Sequence, residues 1–166
     1  LFPIGRRAVF RRLGAGEFFM AFLNIDGRSV AYRLLGAEAN AVAPGKRPLS
    51  SMSPSIVLKD GKPILAVGAA GGPTIITQTL LAIIHTIDFG LPLKEALAQP
   101  HFHHQWAPDQ IRIERKVGEK VLAQLRKRGH SLKIYSQMGA TQATSLRNGK
   151  FDAAHDPRLK GKATAY

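Results

Sequence analysis

Ser55-Ile56-Val57-Leu58-Lys59-Asp60-Gly61-Lys62-Pro63-Ile64-Leu65-Ala66-Val67-Gly68, running on through Ala69-Ala70-Gly71-Gly72-Pro73-Thr74, decides the fold. Two apolar runs flank Asp60-Gly61, a pair that tolerates the positive φ of a tight turn, so the stretch predicts a β-hairpin. Ala69 to Pro73 reads as a strand-to-helix turn, with Pro73 near the first helical turn, where its missing N–H costs nothing. From Thr74 to Asp88 the residues Ile75, Ile76, Leu80, Ile83, Ile84 and Ile87 recur at helical intervals. That spacing predicts a largely buried helix, stopped by Gly90.

Downstream, Leu93 to Ala98 reads as a second short helix closed by Pro100. Gln110-Ile111-Arg112-Ile113-Glu114 alternates as a strand. Gly118 to Arg128 predicts a surface helix with Val121, Leu122 and Leu125 inward and Gly129 as its stop. Leu132 to Tyr135 is the next strand. Ala143 to Leu146, the Asn148-Gly149 turn and Phe151 to Ala154 form a second hairpin. The order β-β-α-α-β-α-β-β-β suits layered α/β or α+β packing, sheet against helices. Upstream, Gly36 to Pro54 is a loop rich in Ala, Gly, Pro and Ser. Residues 1–33 stand apart: six arginines face only Glu17 and Asp26, and no periodicity persists. The apolar patch Phe18 to Leu23 is a short buried strand or the remnant of one. The expected organisation is an atypical segment 1–33 and one domain, 34–166.

Composition narrows the function. A chain of 166 residues and 18.0 kDa with 45% hydrophobic residues is long and apolar enough for one packed domain. The absence of cysteine excludes disulfides, thiolate zinc sites and a cysteine nucleophile. The formal charge of +13 would attract nucleic acid, anionic lipid or acidic small molecules. The basic residues, however, are scattered in pairs, and the 8 Phe, 3 Tyr and 1 Trp form no stacking motif with them. A dedicated nucleic-acid face is therefore not expected. No run of about 18 apolar residues occurs, so no membrane-spanning helix is expected. The opening Leu1 to Arg7 is not a signal peptide, because its charges do not precede an apolar stretch.

Several motifs bear on chemistry. Pro48-Leu49-Ser50-Ser51-Met52-Ser53-Pro54 sets hydroxyls between prolines that limit backbone freedom, with Lys46 and Arg47 nearby. Such a segment can hold a carboxylate, or it is a serine-rich turn. Gly71-Gly72 precedes a helix N-terminus, where unpaired N–H groups favour negative charge and the missing Cβ admits a substrate. Two such amides can form an oxyanion hole, or the pair is only a tight turn. His101, His103 and His104 with Asp109 invite a zinc reading, but residues this close rarely converge on one ion. A structural histidine cluster is the better reading. Gly-x-Ser-x-Gly elbows, Gly-x-Gly-x-x-Gly fingerprints and P-loops are absent.

Taken in order, Gly36 to Ala41, Pro44 to Pro54, Val67 to Gly72, Ile75-Ile76-Thr77 and Asp88-Phe89-Gly90 form a pattern with the later motifs. Those are Pro100-His101-Phe102-His103-His104-Gln105-Trp106, Met138-Gly139-Ala140-Thr141-Gln142, Asp156-Pro157-Arg158 and the terminal Tyr166. Together they resemble the small subunit of γ-glutamyltranspeptidase, an N-terminal-nucleophile hydrolase, over residues 34–166. The resemblance implies an α+β fold, the small-subunit part of a four-layer αββα sandwich lacking its first strands. It implies an enzyme made as one self-cleaving chain, whose new N-terminal threonine attacks the γ-glutamyl amide of glutathione and related compounds. The acyl group then passes to water, an amino acid or a peptide. By position, Ser50 and Ser51, with Met52 beside them, would bind the substrate's α-carboxylate, and Gly71 and Gly72 would supply the oxyanion amides. No cofactor or catalytic metal is implied. The partner implied is the large subunit of the same precursor, and the setting is periplasmic or extracellular.

The sequence also departs from that family. Its small subunits open with Thr-Thr-His, and this chain opens Leu1-Phe2-Pro3. An Asn-Asn-x-Met-x-Asp-Phe segment, which helps hold the substrate amino group, would fall near 16–22. Here it reads Gly16-Glu17-Phe18-Phe19-Met20-Ala21-Phe22, and only Phe22 fits. The spacing from Phe22 through Tyr32 to Ser50 is kept, which suggests a shifted reading frame or a decayed gene behind the opening. The expectation is a chain inactive by itself for want of the threonine. The rival class is a basic module that binds nucleic acid or membrane.

Overall fold

The computed structural model describes residues 43–46 and 50–164, together with the backbone of four short strands within 10–29. The expectations for Leu1–Arg7, Phe22, Tyr32, Gly36–Ala41, Arg47–Leu49 and Tyr166 fall outside the described residues. The chain divides into two units, 1–50 and 51–166. In the first, β1 (Phe10–Leu13) pairs antiparallel with β2 (Glu17–Met20), and β3 (Asn24–Ile25) pairs with β4 (Arg28–Ser29). Strand β2 covers the start of the apolar patch; Ala21, Phe22 and Leu23 lie outside the described residues.

The second unit carries the rest. Strands β5 (Ser55–Lys59) and β6 (Lys62–Ala70) form the expected hairpin, with Asp60 at φ 51° and Gly61 at φ 74° making its turn. Helix α1 (Ile75–Ile87) follows a single 3-10 turn over Gly72–Thr74, and Gly90 at φ 64° ends the segment. Helix α2 is Leu93–Leu97. Strands β10 (Ala140–Arg147) and β11 (Lys150–His155) are the second hairpin. β10 is longer than its apolar pattern suggests, because Ala140, Thr141 and Gln142 pair with Ala70, Ala69 and Gly68 of β6. The resulting antiparallel sheet runs β11-β10-β6-β5.

One face of that sheet makes the core. Leu65, Val67, Ala143 and Ala154 alternate inward along the strands and meet Ala82 of α1 with Leu93 and Leu97 of α2. Each fully buried leucine here contributes about 2 kcal/mol. Helix α1 is less buried than its isoleucines imply: Ile76, Leu80 and Ile87 are exposed, and Ile75, Gln78, Leu81 and Ala82 face inward. The apolar residues outnumber those one face can bury.

A smaller sheet, β7-β8-β9, completes the unit. Strand β8 (Ile111–Glu114) runs parallel to β9 (Leu132–Tyr135), and α3 (Glu119–Lys127) is the crossover that a parallel pair requires. Leu122 of α3 is fully buried, whereas Val121 is exposed, correcting its expected inward placement. The two-residue strand β7 (Phe102–His103), antiparallel to β8, was not expected.

Candidate active site

Strand β6 delivers the Gly71-Gly72 turn. Ala70 closes the pairing with Ala140, and the chain then turns with Gly71 at φ 146° and Gly72 at φ 61°. No side chain tolerates the space at Gly71: a Cβ there would sit 2.6 Å from Thr74 Oγ1 and 2.8 Å from Gln78 Nε2. Glycine is required at this point by both φ and packing.

The serine segment meets that turn. Ser51 Oγ donates to Gly72 O at 2.9 Å, so the two candidate segments, 21 positions apart, are joined directly. Ser53 Oγ donates to Ser51 O at 3.2 Å and Ser55 Oγ to Ser53 O at 3.1 Å, a run of hydroxyl-to-backbone bonds that leads the segment into β5. Met52 is exposed, and Ser50, also exposed, is the last residue of the first unit.

Around the turn lies a layer of buried polar side chains. Thr74 Oγ1 donates to Gly71 O at 2.9 Å, and Gln78 Nε2 donates to Thr74 Oγ1 at 2.7 Å. One turn away on α1, Thr77 Oγ1 and His103 Nδ1 are 3.0 Å apart, and His103 Nε2 is 3.1 Å from Gln105 Oε1. The three neighbouring histidines face separate partners: His101 Nδ1 meets Met138 O at 2.7 Å, and exposed His104 meets Asp109 at 3.0 Å. Among the described residues no group of three His, Cys, Asp or Glu side chains is gathered to hold a metal ion. Burial holds His101 and His103 below the ordinary imidazole range, outweighing the bond to Met138 O in one and to Gln105 in the other.

A charged knot sits behind Met138. Arg158 donates through Nε to Glu114 Oε1 at 2.7 Å and through Nη2 to Glu114 Oε2, while its Nη1 reaches Asp156 Oδ1 at 2.9 Å. It also donates to Leu97 O and Gln99 O, at 3.0 and 2.6 Å. Glu114 accepts in addition from the His101 and Met138 amides, at 3.1 and 2.7 Å. Asp156 accepts from Thr141 N–H at 3.0 Å. Burial alone would raise the Glu114 carboxyl, but the bonds from Arg158 and the two amides hold it below its ordinary value. The knot thus fixes Met138 and Thr141, which flank Gly139-Ala140, and Gly139 lies against Gln78 and Ala70 O.

Sequence reasoning singled out Ser51, Gly71 and Gly72, and the structure brings these three together. It missed Gln78, Thr74, Glu114 and the use made of Arg158. Only Arg158 left a signal, as part of the Asp156-Pro157-Arg158 motif.

Comparison with known proteins agrees with this architecture. The model of the family described as gamma-glutamyltranspeptidase matches residues 19–166. The glutathione hydrolase proenzyme of Escherichia coli is 45% identical over 135 residues, which cover 81% of this chain and 23% of that protein. A structure of Helicobacter pylori gamma-glutamyltranspeptidase, T380A mutant, superposes with a TM-score of 0.77 at 38% identity, covering 88% of this chain and 83% of that one. The Pseudomonas nitroreducens enzyme complexed with L-DON gives 0.79 at 34% identity, covering 93% and 86%. The fold is that of an N-terminal-nucleophile hydrolase, here a partial α+β domain corresponding to the small-subunit portion. The chain belongs to the γ-glutamyltranspeptidase family. It spans about a quarter of the length of the Escherichia coli relative. No helix among the described residues is long and apolar enough to cross a membrane.

Proposed function

We propose that this chain is the C-terminal portion of a γ-glutamyltransferase or glutathione hydrolase small subunit, supplying the acyl-binding half of a site completed by other segments. The observation that carries the reading is the Ser51–Gly72 bond, which sets a hydroxyl-rich segment against a glycine turn at a helix start. Gly71 and Gly72 amides would stabilise the tetrahedral oxyanion formed when a threonine attacks a γ-glutamyl amide. Ser50 and Ser51 would hold the substrate's α-carboxylate, with Met52 lining the same end. The acyl group would pass to water, an amino acid or a peptide. A large subunit is the partner, and a periplasmic or extracellular setting follows from the family alone.

The chain by itself is expected to be inactive, since no Thr-Thr-His occurs in its 166 residues and the covalent route depends on that nucleophile. The test is p-nitroaniline release from γ-glutamyl-p-nitroanilide by three samples. These are the chain alone, the chain mixed with a relative's large subunit, and a chimera in which residues 34–166 replace the matching segment of the Escherichia coli proenzyme. Turnover by the chimera only is the expected result. Turnover by the chain alone would overturn the account of the nucleophile, and an inert, well-folded chimera would overturn the reading of the site.

A further inference from the structure

An oxyanion hole depends on where two N–H bonds point. In a trans peptide the N–H and the preceding C=O point in opposite directions. The Gly71 N–H is therefore aimed by whatever holds Ala70 O, and the Gly72 N–H by whatever holds Gly71 O. Both carbonyls trace to one side chain. Gln78 Nε2 donates to Ala70 O at 3.4 Å and to Thr74 Oγ1 at 2.7 Å, and Thr74 Oγ1 passes its own proton to Gly71 O at 2.9 Å. The donor count closes: the carboxamide nitrogen has two hydrogens for two acceptors, and the threonine hydroxyl accepts one bond and donates one.

We infer that Gln78, with Thr74 as its relay, is a positioning residue that aims both amides of the Gly71-Gly72 turn, an inference that rests on the proposed role of that turn. The orientation of the carboxamide is decided by chemistry, since a flipped amide would set Oε1 against Ala70 O, acceptor on acceptor. Space is reserved for it too. A Cβ on Gly139 would strike Gln78 Nε2, and one on Gly71 would come within 2.8 Å of it. Gln78 is 1% exposed, and its Oε1 has no partner among the described residues. A buried unpaired acceptor is unfavourable, so a glutamine that merely filled this space would be better replaced by methionine, which has the same length and no polar atoms. That difference supplies the test.

In the 166-residue chain, the amide resonances of Gly71 and Gly72 should shift in both Gln78→Met and Thr74→Val. Thr74→Ser, which keeps the hydroxyl, should restore them, and the signals of β11 should stay in place. In the chimeric proenzyme, Gln78→Met should lower kcat about 10- to 100-fold, less than the loss of a whole oxyanion donor, with KM within about twofold. The Gln78→Met, Thr74→Val double variant should fall no further than the worse single, because the two act as one relay. Unmoved glycine amides, or a kcat within about twofold of the parent's, would overturn the inference while leaving the γ-glutamyl reading intact. If the parent chimera is inert, that reading falls and the amide shifts still decide the positioning.

Discussion

Ser51 has one hydroxyl proton, and in this structure it goes to Gly72 O at 2.9 Å. A carboxylate bound by Ser51 would have to take that proton, so substrate binding and the glycine turn share one bond. Ser51→Ala in the chimera is expected to raise KM by about 10-fold or more, the scale of one hydrogen bond to a charged group. Michaelis curves against γ-glutamyl-p-nitroanilide check it, and an unchanged KM would remove Ser51 from the binding role. Arg158 is a different kind of residue. It neutralises Glu114 and Asp156, both almost wholly buried. Arg158→Met leaves two carboxylates without a counter-charge and is expected to cost about 3–5 kcal/mol, read from urea unfolding of the chain. Serines and glycines were legible because their chemistry is local. Glu114 was not: it closes the alternating Ile111-Arg112-Ile113-Glu114, which would set it outward beside Arg112. Its burial is made tolerable by a cation 44 positions away and by two backbone amides.

Among the elements, the β9–β10 connection and the β5–β6 turn make a matched pair. Gly61 and Gly139 both hold positive φ, 74° and 56°, yet a Cβ at Gly61 meets open space and one at Gly139 meets Gln78 and the Ala70 carbonyl. Gly61→Ala is expected to cost about 1 kcal/mol, the conformational penalty alone. Gly139→Ala adds a steric collision with a backbone atom and should cost at least about 2 kcal/mol. Equal losses of stability in urea titrations would show that the connection yields freely, and the packing argument for Gly139 would fail. The same contrast explains which elements could be read. The Asp60-Gly61 hairpin announces itself through turn chemistry between apolar runs. β7 has two residues, too few to show a period, and it exists because Phe102 and His103 pair with Ile113 and Arg112. The long β10 is likewise a product of partnership, since its first residues are defined by β6.

Across the whole molecule, acid acts through groups the fold keeps out of water. Buried His101 and His103 are held below the ordinary imidazole value of 6.5, each chiefly by burial, and half-buried His85 is lowered in the same direction. In the window between their folded values and 6.5 the unfolded chain binds more protons than the folded one, so stability is fully present above that window and falls as pH drops through it. Glu114 adds a second window below its ordinary 4.5, because Arg158 and two amides keep it ionised in the fold against the opposing effect of burial. Here too the unfolded state takes protons first, so both windows point the same way. Repulsion offers a competing cause, since a chain already at +13 gains further positive charge in acid. Salt separates the two. Screening at about 0.5 M weakens repulsion between exposed charges but leaves the cost of charging a buried ring almost unchanged. The expected result is a melting temperature that falls as pH drops from about 7.5 to about 5.5 and keeps most of that fall in high salt. A second decline, below about 4.5, should be blunted in Glu114→Gln relative to its own value at neutral pH. If high salt abolishes the first decline, surface charge is its cause and the buried histidines are not.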